Sequence, residues 1–216
     1  MLVDHFPPLG LLLRTPRLEL RIPTGEALAD LADLAVDGIH PPETMPFVFP
    51  WTDQPPAELA RDVLRHHWRH LANWTPQNWS LLLAVFRDGT VVGQQALSGR
   101  EFATSREVTT GSWLGQRYQG QGIGTEMRAA ALHLAFAGLG AEAAISGAFT
   151  DNPASLAVSR KLGYQPDGIS RHAVRGELAI EQRMRLSRQN WERHRSIDVT
   201  IEGLEPCLPL FGLDDG

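Results

Sequence analysis

The stretch Gln119-Gly120-Gln121-Gly122-Ile123-Gly124-Thr125 decides how this chain folds. Before it, Val108–Leu114 reads as a strand. After it, Ile123, Met127, Ala130, Leu134 and Ala135 recur on one face, so the spacing predicts a helix over Gly122–Leu139. A glycine-rich turn between strand and helix has a physical use. Glycine accepts positive φ and close approach of a ligand. The first N–H groups of a helix lack internal partners and sit at the positive end of its dipole. Backbone alone can therefore hold a pyrophosphate there, with no lysine. The same glycines also suit a tight turn that packs helix on strand, and on their own they do not decide between the two. Two other phosphate patterns fail: no G-x-x-x-x-G-K-[ST] segment occurs, and the third glycine of G-x-G-x-x-G falls on Thr125.

Outward from that turn, the elements alternate in kind. Arg17–Ile22 alternates as an opening strand, Thr24 can cap a first helix that ends at Gly38, and Pro56–Trp74 is a second amphipathic helix. Between those helices, His40–Gln54 has no periodicity and holds Pro41, Pro42, Pro46 and Pro50 among aromatics. Ser80–Phe86 and Val91–Leu97 are strands joined by the turn signal Asp88-Gly89. Glu142–Phe149 is strand-like, and Asp151-Asn152-Pro153 opens a short helix closed by Gly163. Weaker strands follow near Arg171–Val174 and Ile180–Leu186, then a helix at Ser187–Arg195 and a tail punctuated by proline and glycine. This order predicts an α/β fold on a mixed, mostly antiparallel sheet, with a parallel pair around residues 108–149. One domain spans residues 1–195, and residues 196–216 are a tail packing on the domain or on a partner subunit.

The 216 residues suffice for one well-buried core. A net charge of −5 gives no support to nucleic-acid binding. No apolar run approaches the roughly 18 residues of a membrane span. With a single cysteine, Cys207, there is no internal disulfide and no zinc spacing, which fits a reducing cytoplasm. His66 and His70 share a helix face but lack a third ligand, so they read as a solvated face and no metal is expected.

Gln119-x-x-Gly122-x-Gly124 resembles the pyrophosphate-binding signature of the Gcn5-related N-acetyltransferases, the GNAT superfamily. Downstream, Asp151-Asn152-Pro153 through Lys161-Leu162-Gly163-Tyr164 is similar to that family's second signature. Thr15-Pro16-Arg17-Leu18-Glu19-Leu20, Gly111-Ser112-Trp113-Leu114 and the Asp151–Ser155 helix start resemble its RimJ/RimL-like branch. The resemblance implies helices on both faces of the sheet and a splayed central strand pair. It further implies acyl-CoA as co-substrate, held by the amides of Gln119, Gly120, Gln121, Gly122, Ile123, Gly124 and Thr125. The backbone of Trp113 and Leu114 would pair with the pantetheine arm, with one N–H polarising the thioester carbonyl. Asn152 would touch the arm, cap its own helix, or both.

For the chemistry, the resemblance implies an acid for the departing thiolate and a base for the amine. The family's usual tyrosine is replaced here by Ser159, and the branch's serine maps to Ser155, so Ser155 leads and Ser159 follows. The branch's carboxylate falls on Thr109. Glu107, two residues earlier on the same strand face, can act through water, and His40 and Glu43 are further base candidates. His40, Glu43 and Trp51 lie in the segment where the family binds its acceptor. The expected activity is acyl transfer to a primary amine of a small molecule or protein N-terminus. The acyl group is acetyl in the simplest case, with succinyl or another acyl left open. A non-catalytic acyl-CoA sensor is the alternative. The apolar run Leu208–Leu213 suggests a homodimer.

Overall fold

A computed structural model of the protein describes residues 1–213. The chain opens with a short turn of helix, α1 (Leu2–His5), and the strands β1 (Leu12–Arg14) and β2 (Glu19–Arg21). Helices α2 (Glu26–Asp37) and α3 (Pro56–Ala72) follow, flanking the proline-rich loop. Next come β3 (Asn78–Arg87), β4 (Thr90–Arg100), the single turn α4 (Phe102–Ser105), β5 (Glu107–Leu114) and α5 (Ile123–His133). The rest is β6 (Ala143–Phe149), α6 (Pro153–Lys161), β7 (Gln165–Val174), β8 (Glu177–Ser187), α7 (Arg188–His194) and β9 (Thr200–Glu202).

All nine strands join one sheet in the order β7-β8-β6-β5-β4-β3-β2-β1-β9. Every pairing is antiparallel except β5 with β6. One face carries the larger core, where Val108, Leu114, Ile123, Met127, Ala144, Leu156 and Tyr164 pack together. The other face carries α2 and α3, with Leu31, Val63, Ala84, Phe86 and Trp113 buried between them and the sheet. The mixed sheet with helices on both faces is the architecture the sequence predicts.

The β5–β6 pair is the feature that positions the site. Only Glu107 with Ala143, Val108 with Ala144 and Thr109 with Ile145 are matched. Yet β5 stays paired to β4 as far as Leu114, and β6 stays paired to β8 as far as Phe149. Past Thr109 the two strands therefore part while each remains anchored on its outer side. Residues 110–114 and 146–149 form the two walls of a wedge. At the fork, the Thr110 hydroxyl donates to Ile145 O at 3.3 Å and lies 3.1 Å from the Tyr164 hydroxyl. A side chain thus occupies a backbone acceptor where the ladder stops.

Several boundaries differ from the sequence reading, each for a local reason. Helix α2 is capped by Gly25 (φ 54°) rather than Thr24, because the chain turns sharply there. The helix after the glycine turn ends at His133 and continues as a wider π turn, Leu134–Gly138, which seats Leu134, Ala135 and Phe136 in the core. The two weak late strands are a long hairpin whose turn needs positive φ at Arg175 and Gly176. The tail lies on the domain itself. Strand β9 extends the sheet beside β1, Cys207 and Phe211 are fully buried, and Leu208 and Leu213 pack on the same core. Leu208, Phe211 and Leu213 of the apolar run thus pack within the chain; Asp214–Gly216 lie outside the described residues.

Candidate active site

The glycine turn is exposed and preorganised. Gly120 and Gly122 have φ of 72° and 79°, conformations that favour glycine, and Gly122 caps α5 without a side chain. Thr125 and Glu126 both donate to Gly122 O. Among the described residues, the amides of Gly120, Gln121, Gly122, Ile123 and Gly124 enter no backbone hydrogen bond outside the helix, and they lie at its positive end. Arginines rim this cradle. The Arg17 Nη1 donates to Gln121 O at 3.2 Å, and Arg87 Nη1 donates to Gln121 Oε1 at 2.8 Å. Arg17 is itself fixed by Glu126, a buried carboxylate that also accepts from the Thr15 hydroxyl at 2.7 Å. That bond explains why Thr15-Pro16-Arg17 belongs with the turn a hundred residues later.

Gln119 is a strut rather than a ligand. Its Nε2 donates to Ile39 O at 2.6 Å and Leu114 O at 3.1 Å, tying the end of β5 to the start of the proline-rich loop. The backbone amide of Gln119 donates to Gln116 O, so of the seven cradle residues Gln119 and Thr125 have their amides engaged.

Helix α6 forms the opposite bank. Asn152 caps it, its Oδ1 accepting from Ser155 N at 3.1 Å, and Pro153 fills the first turn. Its Nδ2 makes no bond among the described residues, so capping leaves a donor for a ligand. Ser155 is half-buried. Ser159 is 1% exposed and fully committed: it accepts from Arg128 Nη1 at 2.9 Å and donates to Ser155 O at 3.2 Å. Its proton bonds back along the helix, the usual place for a mid-helix serine. The expectation that Ser159 is a spare acid does not fit this geometry.

The expected bases fare differently from the cradle. Glu107 sits where β5 and β6 are still paired and forms an ion pair with Arg185, which also reaches Asp167 at 3.2 Å. Both ring nitrogens of His40 are used inside its own loop, Nδ1 donating to Pro41 O at 2.9 Å and Nε2 meeting the Thr52 hydroxyl at 2.7 Å. Glu43 is exposed on the same loop. Trp51 does stand at the sheet, its ring 6.0 Å from Trp113 and 5.2 Å from Phe47.

Another pair faces the wedge from the hairpin. Glu181 projects from β8 on the α2/α3 side, its carboxylate so close over Gly147 that no side chain fits there. In the β5–β6 register, Gly147 is level with Gly111, across the open wedge. His172 Nε2 donates to Glu181 Oε2 at 3.0 Å, and both residues are about a quarter exposed. The turn of their hairpin is pinned to the proline-rich loop: Arg175 pairs with Asp53 at 2.5 Å and donates to Pro42 O at 3.0 Å. Loop and hairpin together wall the space above the wedge.

The model of the family described as "Acetyltransferase (GNAT) domain" matches residues 17–165, more than half of the chain. The chain belongs to the GNAT acetyltransferase family. Its activity at that level is acyl-CoA-dependent N-acyl transfer. Solved structures agree in fold. RimL, a ribosomal-protein alpha-N acetyltransferase in complex with coenzyme A, is similar at TM-score 0.62 and 19% identity, over 80% of this chain and 95% of that one. A GCN5-related N-acetyltransferase from Brucella melitensis matches at TM-score 0.66 and 18% identity, over 85% and 81%. The microcin self-immunity acetyltransferase MccE, in complex with acetyl-CoA and AMP, matches at 0.62 and 15%, over 80% and 93%.

Around the cradle and wedge the structure also brings together residues to which sequence reasoning gave no role: Arg17, Arg87, Arg128, Ser112, His172 and Glu181. The wedge is where its register stops, and no sequence pattern marks that.

Proposed function

We propose that this GNAT chain acetylates a primary amine, on a small molecule or a protein N-terminus, by direct attack within a ternary complex, as a member of the RimJ/RimL-like branch. The observation that carries the reading is continuity. The free amides of Gly120–Gly124 lead along the unpaired edge of β5, residues 110–114, to the wedge. One extended anionic ligand with a long uncharged arm fits that path, and acyl-CoA has this shape. The arginines rimming the cradle, Arg17 and Arg87, are held at Gln121 within reach of an anion, although Glu126 already pairs with Arg17.

In this reading the backbone of Trp113 and Leu114 aligns the arm, and an N–H there polarises the carbonyl as negative charge grows on it. The Asn152 amide steadies the arm from the other bank. The amine enters between the loop carrying Trp51 and the β7–β8 hairpin. Glu181, oriented by His172, takes the proton that the amine loses. The C–N bond forms, the C–S bond breaks with its electron pair on sulfur, and the thiolate recovers one proton. Acetyl is the simplest donor, and a reducing cytoplasm suits a chain whose one thiol is buried.

A sensor that binds acyl-CoA without turnover is the second reading, favoured by the committed hydroxyl of Ser159 and the neutralised Glu107. Calorimetric titration with CoA, followed by assay of free CoA released from acetyl-CoA across a panel of amines and N-terminal peptides, separates them. Binding with acceptor-dependent release supports the enzyme. Binding with none across the panel supports the sensor, and no binding removes both.

A further inference from the structure

Arg128 is a buried charge that nothing above requires. It projects from the second turn of α5, is 5% exposed, and places its guanidinium between β5 and α6. Nη1 donates to Ser159 Oγ at 2.9 Å and Nη2 to Ser112 Oγ at 3.0 Å, while Nε has no partner. Among the described residues no carboxylate pairs with it. The ionisable group acting on it is the Tyr164 phenol, which burial itself holds in the neutral form. Burial without a counter-ion works against the guanidinium charge. Such an ion is less stable than an apolar side chain of similar size would be. The free chain alone does not explain it; an anion formed during the reaction does.

The serines around the wedge differ in what their protons do. Ser159 has committed its proton to Ser155 O. Ser155 is held through its backbone and has no cation behind its hydroxyl. Ser112 accepts from Arg128 and donates to nothing among the described residues. A hydroxyl whose lone pair faces a cation turns its proton elsewhere, and the bond to the cation strengthens it as a donor. Ser112 stands in the unpaired stretch of β5, on the face turned to α5 and α6. The cradle at the head of α5 lies on that side, so an arm running from it reaches the wedge with its sulfur towards Ser112. The carbonyl lies beyond, towards the acceptor.

We propose that Ser112, polarised by Arg128, donates a hydrogen bond to the sulfur of bound CoA and stabilises the thiolate as it departs. Ser112 keeps its proton. The electron pair of the broken C–S bond stays on sulfur, and the proton that sulfur finally gains is the one lost by the amine. Arg128 acts through Ser112 and is a positioning residue. The inference rests on the acyl-CoA reading above.

Its test needs CoA and the full chain but no acceptor. Thiolate absorbance in the ultraviolet follows the bound thiol as pH rises. The chain's own thiol, Cys207, is pushed by burial up to about 11 and stays silent below that range. Bound to the wild-type chain, the CoA thiol should titrate about one pKa unit or more below free CoA. Ser112→Ala should return it to the free value, with the loss of CoA affinity confined to the pH range where the thiolate forms, while Ser112→Thr should keep it low. Arg128→Lys, which holds the charge but cannot span both serines, should fall between; should it fail to fold, the Ser112 pair still decides. A bound thiol that titrates alike in the wild type and Ser112→Ala overturns the inference, as does a shift lost in Ser155→Ala instead. Absence of CoA binding to the wild type, read by calorimetry beforehand, overturns the acyl-CoA reading and the inference with it.

Discussion

The two sides of β5 bind by different means. Towards α5 and α6 the candidate site is mostly backbone, free amides at residues 120–124 and an unpaired strand edge, with the side chains of Asn152, Ser112 and Arg128 close by in sequence or space. Towards α2 and α3 it is made of side chains gathered from afar, with Trp51 on Trp113, His172 on Glu181, and Asp53 bonded to Arg175 across 122 positions. A backbone site must be written locally, because only certain residues permit its dihedrals. A side-chain wall exists only once the sheet has assembled.

The sharpest way to break this contrast is Gly122→Val. A β-branched residue at φ 79°, with its Cβ 3.4 Å from Arg17 Nη2, forces the cradle open. CoA binding by calorimetry should be lost; unchanged affinity would mean that the backbone is not the ligand. On the opposite side, Glu181→Gln keeps shape and removes the base. It should lower kcat by about 10²–10⁴-fold in a CoA-release assay while CoA affinity holds. An intact kcat would reduce the hairpin to a wall.

A third test probes the α3 side through stability. His67 is buried against Gln94 at 2.8 Å, and desolvation pulls its pKa down to about 4 from 6.5. As pH falls, the unfolded chain takes this proton first. The contribution is therefore full above pH 6.5 and is lost progressively towards pH 4, about 3 kcal/mol in all. Denaturant unfolding at stepped pH should show this decline, and His67→Gln should reduce it, leaving the part that His66, also pulled down to about 4 by burial, contributes. The smallest effect is expected of Arg175→Ala, which unpins hairpin from loop at an exposed pair. The acceptor KM should rise a few-fold and CoA affinity stay put, since exposed ion pairs contribute little.

Legibility followed the same division. The glycines of residues 120–124 and the Asn152-Pro153 cap were readable because their conformational demands are local. Thr15 and Arg17 were readable as a motif but not as a contact, since their partner Glu126 lies over a hundred positions away. Glu107 was picked for its strand face, and only the register shows it at the closed end, neutralised by Arg185. Ser159 was picked for its position in α6, and only packing shows its hydroxyl spoken for. Glu181 and His172 belong to a hairpin whose alternation was too weak to set its register.

Strand β9 has a consequence for synthesis. Its partner β1 is made well before the residues that cover that edge, out to Glu202 bonded to Arg14, which follow 188 positions later. A nascent chain can build the central strands early, but it holds β1 with an open edge until Thr200–Glu202 have been made. Shortening the chain before Thr200 would make that interval permanent, and an open strand edge is a template for aggregation. Yield in the soluble fraction should then drop for truncations that leave every residue of the CoA cradle and the hairpin in place.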